Sequence, residues 1–310
     1  MIDTLLLLAA ALSFVFGWNN SSFVVGNMAG SGTVSLKAAA SLTALGMLSG
    51  VILEGPKMLQ SLNGSLASSV PSDGVEVAFG LSLIIILTLT LAKLPAPLSG
   101  AMVGAFLGVA AGLKAPTNLL QAGTVISFWF VAPLITALGA YGLRKGTSRL
   151  VAKLSLAGAD SFNRAGVLAG SFAVSYTLGA NNLGMIVGTA LGGSPAQNAS
   201  LASVVMALLA VVGVLVFGRG RVSGTVGDRL LSLRPQGVLA VFGSSALVVW
   251  LGTQLAIPVS ISQCVLGGML GAALSQRTAL LNARVAYQAL STWVAVPVVA
   301  FLIGYAVTVA

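Results

Sequence analysis

The sequence contains no histidine, a single cysteine and only six acidic residues in a chain of 310. One cysteine, Cys264, excludes an internal disulfide, and its apolar neighbours predict a small core residue. Catalytic sites usually draw on histidine, paired acids or a Cys/His arrangement, and these groups are missing here. We therefore predict no enzyme, no catalytic residue, no metal site and no cofactor.

Charge of either sign is scarce as well. Charged residues make up 7% of the chain, against roughly 25% in soluble domains, while 57% are hydrophobic and the mean hydropathy is +1.01. This composition predicts an all-α polytopic protein of the lipid bilayer. The net charge of +9 would suit nucleic acid, but the basic residues lie between apolar runs. That distribution is a topology signal and disfavours a nucleic-acid partner.

Ten apolar runs approach the roughly 20 residues that a membrane-spanning helix needs. They cover residues 3–27, 34–53, 75–92, 95–113, 118–143, 162–190, 199–218, 237–253, 256–275 and 286–308. If all ten cross, thirteen of the fifteen basic residues face one side, and only Lys57 and Lys114 face the other. The basic side is cytoplasmic, which predicts a multi-pass plasma-membrane protein with both termini outside. Treating 95–113 and 256–275 as re-entrant gives ten against five, so full crossing is preferred, with broken helices or hairpins still open there.

The second half of the sequence repeats the first at a nearly constant offset of 162 to 164 residues. The matched pairs are Gly17/Gly179, Asn19/Asn181, Asn20/Asn182, Gly26/Gly188, Gly30/Gly192, Pro95/Pro258, Ser99/Ser262, Gly104/Gly267, Gly108/Gly271, Trp129/Trp293 and Pro133/Pro297. Five spans per half is an odd number, so the second half is inverted, as in secondary transporters. We predict a first transmembrane repeat at 1–143, a basic cytoplasmic linker at 144–161 and a second, inverted repeat at 162–310.

Polar residues interrupt the first span of each half, as G-W-N-N-S-S-F-V-V-G at 17–26 and G-A-N-N-L-G-M-I-V-G at 179–188. A broken helix is tolerated in a membrane only where it lines an enclosed cavity. A half-helix that begins there would aim N–H groups and a positive dipole end at an anion. Asparagine and serine could instead hydrogen-bond between packed helices, but the pairing of Asn-Asn after glycine in both halves favours a site.

A second polar pair is P-A-P-L-S-G at 95–100 and I-P-V-S-I-S-Q at 257–263. Pro-x-x-x-Ser is typical of a helix start with free amides and hydroxyls. The glycines that follow at four-residue spacing predict close helix packing. Glu54 and Lys57, three residues apart on one helical face, form either an interfacial pair or a gate or proton-coupling group.

Taken together, these stretches resemble the inorganic phosphate transporter family. Its signature Gly-Ala-Asn-Asp-Val-Ala-Asn is similar to G-W-N-N-S-S-F (17–23) and G-A-N-N-L-G-M (179–185). Its Pro-Val-Ser-Thr-Thr motif is similar to P-A-P-L-S (95–99) and P-V-S-I-S (258–262), and a Trp follows with a Pro four residues on. The resemblance covers nearly the whole chain. It implies an inverted-repeat transporter with outward termini and an oxyanion held between the Asn and Pro/Ser stretches.

The departures from the family pattern bear on the substrate. Asn20 and Asn182 replace the family's aspartates, Phe23 and Met185 replace its later asparagines, and its first motif serine survives in one half, as Ser260. Carboxylates there would help to hold sodium and would accept the proton of hydrogen phosphate. Sulfate carries no proton and needs donors only, so the replacement mildly favours sulfate over phosphate.

We therefore predict a symporter that imports a tetrahedral oxyanion, sulfate or phosphate, by alternating access, with Na+ or H+ as the coupling ion. The groups expected to line the substrate are Asn19, Asn20, Asn181, Asn182, Ser99, Ser260 and Ser262. Further candidates for a substrate or ion site are Ser21, Ser22, Gly100 and Gln263. A passive anion channel that uses the same donors stays an alternative. A homo-oligomer is also left open.

Overall fold

A computed structural model describes residues 3–92, 94, 96–192, 196–217, 233–276 and 283–310, apart from the side chains at 196–200, 283–286, 288 and 289. Within these residues the chain forms helices and no strand, only two isolated bridges. The helices are α1 Thr4–Asn20, α2 Ser22–Gly30, α3 Leu36–Leu53, α4 Ser72–Leu91, α5 Leu98–Gly112, α6 Leu119–Val151, α7 Leu156–Thr177, α8 Gly184–Leu191, α9 Ala196–Phe217, α10 Pro235–Gln254, α11 Ile261–Gln276 and α12 Ala283–Val309. A 3-10 turn, Gly55–Met58, follows α3, and a π-helical turn, Leu178–Leu183, joins α7 to α8. Lys93, Pro95, Arg219, Arg221, Arg229 and Arg277, used in the sequence predictions, lie outside the described residues.

Several described segments have the length and composition of membrane spans. Six qualify: Thr4–Gly30, which joins α1 and α2, then α3, α4, α6, α10 and the Leu290–Val309 part of α12. Helix α5 and part of α9 are apolar but shorter. The described residues therefore confirm the all-α polytopic membrane class that the sequence predicts. The predicted linker, 144–161, is mostly helical, because α6 continues to Val151 and α7 begins at Leu156.

Local side-chain chemistry fixes where several spans begin. The carboxylate of Asp3 accepts a hydrogen bond from the Leu5 amide at the start of α1, at 3.0 Å. Ser35, Asn118 and Ser155 cap α3, α6 and α7 in the same way. Each such cap satisfies an amide that has no partner within the helix and contributes about 1 kcal/mol.

The two halves pack on each other through matching pairs of helices. Helix α1 packs against α9, and the corresponding contact in the second half is that of α7 with α3. In the same way, α5 packs against α12, and α11 packs against α6. Glycine makes these approaches possible: Gly104 faces the backbone of Pro297 and Gly267 faces the backbone of Pro133, where a β-carbon would collide. The sequence prediction that the four-residue glycine pairs serve helix packing is confirmed.

The direction of the helices follows from these contacts. Helices α3 and α7 run in parallel, because a β-carbon on Gly46 would lie 2.6 Å from the β-carbon of Ser175, and one on Gly50 would lie 2.9 Å from the amide nitrogen of Ala180, in the π-helical turn that follows α7. Helix α3 returns along α2 after the turn at 31–35, so it runs against α1 and α2. Consequently α1 and its sequence counterpart α7 run in opposite directions.

Helices α4 and α5 form a hairpin whose turn lies inside the protein. Its outer ends are joined by hydrogen bonds from the Ser68 amide to the Pro116 carbonyl, at 3.0 Å, and from the Asn118 amide to the Leu66 carbonyl, at 2.8 Å. Helix α5 has 15 residues, which makes it about 22 Å long, short of the roughly 30 Å of a bilayer core. The short α5 and the shared end of the two arms fit the hairpin that the sequence left open for 95–113 beside the preferred full crossing.

The polar stretches of α1 and α7 are interrupted but not unwound, contrary to the predicted open breaks. Helix α1 ends at Asn20 and α2 begins at Ser22, with Ser21 still at right-handed helical angles (φ −61°, ψ −23°). The Ser21 and Ser22 hydroxyls donate to the carbonyls of Gly17 and Trp18, at 2.6 and 3.2 Å. Such bonds to the i−4 carbonyl perturb a helix without opening it. Non-helical backbone occurs instead at the hairpin turns.

Candidate functional site

Asn19 fastens the turn of the first hairpin to α1. Its side-chain amide donates to the Thr90 hydroxyl at 2.9 Å and to the Leu94 carbonyl at 3.1 Å, and its oxygen accepts from the Ala96 amide at 3.0 Å. Asn19 has no exposed surface. Both of its N–H groups are used, so in this conformation Asn19 offers no donor to a substrate.

Asn181 does the same for the second hairpin, between α10 and α11. Its amide donates to the Thr253 hydroxyl at 3.2 Å and to the Ile257 carbonyl at 3.0 Å, and its oxygen accepts from the Val259 amide at 2.9 Å. The buried turn would otherwise leave backbone groups without partners, which is costly in a membrane. Asn19 and Asn181, both predicted to line the substrate, thus hold the two turns in place.

The sequence prediction missed the two threonines in these networks. Thr90 and Thr253 are buried, and each hydroxyl donates to the carbonyl four residues earlier while it accepts from its asparagine. The sequence does contain a signal for these threonines, because Thr90 and Thr253 are 163 residues apart, which is the offset between Ser99 and Ser262. Trp129, which the sequence matches to Trp293, donates to the Pro258 carbonyl of the second turn at 3.0 Å.

Three predicted site residues carry buried polar atoms that have no hydrogen-bond partner in the part of the chain that the structure describes. These atoms are the side-chain nitrogen of Asn20, the hydroxyl of Ser99 and the side-chain oxygen of Asn182. All three side chains are at most 2% exposed. The nitrogen of Asn182 donates to the Val259 carbonyl at 2.9 Å, which leaves its oxygen as a free acceptor. A buried polar atom without a partner is unfavourable by about 1–3 kcal/mol unless a ligand or water satisfies it.

Two of these residues lie on neighbouring elements. Helix α1, which ends at Asn20, packs directly against α8, which begins two residues after Asn182. Ser99 lies in the first turn of α5, whose preceding residue, Pro97, makes no side-chain cap. The first amides of a helix lack partners within it, and they favour an anion there.

The remaining candidates are also buried but differ in how they are satisfied. The Ser260 and Ser262 hydroxyls hydrogen-bond to each other at 2.9 Å at the start of α11, and Gln263 follows, 4% exposed. Gly100 lies in the first turn of α5, and a β-carbon there would make ordinary contacts, the nearest at 3.5 Å to Pro297. Ser21 and Ser22 are committed to the helix carbonyls described above, so they are the weakest candidates.

Glu54 and Lys57 form a network with the end of α10. The Glu54 carboxylate accepts from Gln254 at 2.8 Å and from Trp250 at 3.3 Å, and it lies 3.5 Å from the Lys57 ammonium, which also donates to Gln254 at 2.6 Å. Burial alone would raise the pKa of Glu54, but the hydrogen bonds from Gln254 and Trp250 and the charge of Lys57 outweigh it and lower that pKa. The pair thus connects the end of α3 to the second hairpin.

Comparison with known proteins finds a family, two relatives and a solved structure that this chain resembles. The model of the Phosphate transporter family matches residues 16–304. A protein of Methanocaldococcus jannaschii named "Putative phosphate permease" is 23% identical over 304 residues, which are 98% of this chain and 96% of that protein. A Haemophilus influenzae protein of the same name is 26% identical over 152 residues, 45% of this chain and 36% of that protein. A solved structure described as "The sodium-dependent phosphate transporter" superposes with a TM-score of 0.83 at 16% identity, covering 98% of this chain and 97% of the other.

Proposed function

Because the chain belongs to the phosphate transporter family, we propose that it is a secondary active transporter that imports inorganic phosphate. The observation that carries the proposal is the set of buried atoms on Asn20, Ser99 and Asn182 that have no partner among the described residues. These residues lie at the end of α1, in the first turn of α5 and just before α8. Oriented donors and helix N-termini of this kind can replace the hydration shell of an oxyanion.

The free oxygen of Asn182 favours phosphate over sulfate. One N–H of its amide donates to the Val259 carbonyl, and its oxygen is a buried acceptor without a partner among the described residues. Phosphate keeps at least one proton at neutral pH and can donate it to this oxygen, whereas sulfate has no proton to donate. This contact reverses the mild preference for sulfate that the loss of the aspartates suggests.

Alternating access between two inverted halves is the proposed mechanism. The opposite directions of α1 and α7, the matching packing pairs and the two clamped hairpins support it. Described basic residues at the end of α6 and the start of α10, among them Arg144 and Arg234, line one cavity. Under the positive-inside rule this end faces the cytoplasm of a plasma-membrane protein, and both termini lie outside.

Sodium is the proposed coupling ion. The structural neighbour is described as sodium-dependent, and the two signature positions carry Asn20 and Asn182, which cannot take up a proton at physiological pH. Glu54, the other candidate for proton coupling, has a lowered pKa and therefore stays ionised. Sodium would be held by oxygen atoms, which are its usual ligands in such sites.

Uptake into proteoliposomes tests the proposal. We expect radiolabelled phosphate to accumulate against its gradient when an inward sodium gradient is imposed, and to stop when choline replaces sodium. Collapse of the pH gradient is expected to leave the rate unchanged, and excess sulfate is expected to compete poorly. Sulfate uptake that exceeds phosphate uptake would reverse the substrate assignment, and large anion currents without accumulation would indicate a channel.

The Glu54 network predicts a specific pH response. The ordinary pKa of a glutamate carboxyl already lies below pH 6, and the pKa of Glu54 is lowered further. The carboxyl is therefore ionised throughout the range from about pH 6 to 8, and its charge does not change there. We therefore expect Glu54→Gln to slow phosphate uptake by loosening the contact with Gln254, while the shape of the pH profile over that range stays that of the wild type. A pH dependence present in the wild type and lost in Glu54→Gln would instead assign proton coupling to Glu54.

A further inference from the structure

A polar cavity lies where the end of α6 meets the start of α10 and the end of α11. Its volume is about 380 Å³. It is lined by Arg144, Lys145, Ser148, Arg234, Ser275 and Gln276. Ser275 is 13 residues beyond Ser262 along α11, about 20 Å at the helical rise, so the cavity is separate from the candidate substrate site.

The cavity gathers positive charge without a counterion. Three of its six lining residues are cationic, and none of the six is acidic. Among the described residues, the one ion pair joins Lys57 to Glu54, so no described carboxylate neutralises Arg144 or Arg234. The Nε of Arg144 is buried and has no hydrogen-bond partner within the described part of the chain. Cations that converge in this way are stabilised when an anion binds between them.

The helix geometry adds to the preference for an anion. Arg234 is the N-cap of α10 and makes no side-chain cap, and Pro235 follows as the first helical residue. The positive end of the α10 dipole therefore opens toward the cavity. Leu143 and Leu150, beside the cavity residues of α6, are 46% and 48% exposed, so apolar surface that suits lipid chains adjoins the charged surface.

We propose that the cavity bounded by Arg144 and Arg234 binds a phosphate group. Two guanidinium groups can hold the phosphate oxygens through paired N–H donors, which ammonium groups cannot do. The phosphate belongs either to the headgroup of an anionic lipid at the membrane boundary or to free inorganic phosphate on the basic side. Basic pockets between transmembrane helices on the cytoplasmic side are suited to lipid headgroups, and the experiment distinguishes the two sources.

Arginine labelling reports on this cavity directly. The full chain, purified in neutral detergent and stripped of lipid, is treated with phenylglyoxal, and the modification rate of each arginine is measured by peptide mass spectrometry. Phosphatidylglycerol and inorganic phosphate are the two probes, with phosphatidylcholine and sodium chloride as controls. We expect one probe, at about ten times its dissociation constant, to slow labelling of Arg144 and Arg234 about tenfold. Arg149, an exposed residue of the same helix that does not line the cavity, is expected to keep its rate.

The pattern of protection decides the outcome. Protection by phosphatidylglycerol alone assigns a lipid headgroup, and protection by inorganic phosphate alone assigns the free anion. Equal effects at Arg149, or equal effects from sodium chloride, would overturn the proposal. As a second measurement, Arg144→Gln is expected to abolish the rise in melting temperature caused by the protecting probe, while the matched variant Arg149→Gln keeps it.

Discussion

Asn182→Ala is expected to lower phosphate uptake about 10- to 100-fold, because a hydrogen bond to a charged ligand is worth about 1.5–3 kcal/mol. The substitution removes the acceptor proposed for the phosphate hydroxyl and leaves the Val259 carbonyl without its donor. Uptake in proteoliposomes measures the first effect. Thermal unfolding in detergent measures the second, which is expected to be small, since only one backbone group loses its partner.

Two serine variants distinguish a hydroxyl that binds substrate from one that is merely buried in the core. Ser99 and Ser245 are both fully buried, and both hydroxyls lack a hydrogen-bond partner among the described residues. Removal of either hydroxyl should therefore leave stability nearly unchanged or improve it slightly. We expect Ser99→Ala to impair uptake and Ser245→Ala to leave it intact. Normal uptake in Asn182→Ala and Ser99→Ala together would contradict the site assignment.

The sequence could predict which stretches matter, but not that two adjacent residues would differ in their hydrogen-bond partners. Asn19 and Asn20 looked equivalent, yet successive residues on an α-helix point about 100° apart. Asn19 therefore faces the turn of the first hairpin and is saturated, while the nitrogen of Asn20 has no partner. The offset of about 163 residues also relates two contacts of the structure, that of Asn19 with Thr90 and that of Asn181 with Thr253.

The location of the non-helical backbone could not be predicted from the polar stretches. Serine can free a helix from its regular hydrogen bonds or bond back to the i−4 carbonyl, and the sequence does not distinguish the two. In the structure, Ser21 bonds to the Gly17 carbonyl and the helix continues. The hairpin turns are non-helical instead, because Asn19 and Asn181 supply the hydrogen bonds that buried, irregular backbone requires.

The role of Asn181 as a clamp predicts a large effect on the second hairpin. Asn181→Ala would leave the Ile257 carbonyl and the Val259 amide without their partners, at a cost of about 1–3 kcal/mol for each group. We expect a clear fall in the melting temperature. We also expect α11 to detach locally more often, since the turn before it loses its attachment to the π-helical turn.

The single cysteine allows this detachment to be measured by maleimide labelling, without the introduction of another cysteine. Cys264 is fully buried in the first turn of α11, so maleimide reaches it only when the second hairpin opens or the whole chain unfolds. Asn19→Ala is the matched control, because it breaks the equivalent network at the first hairpin. Global destabilisation would raise Cys264 labelling equally in both variants. We expect labelling to rise more in Asn181→Ala than in Asn19→Ala at equal loss of melting temperature, because only Asn181 holds the hairpin that contains α11.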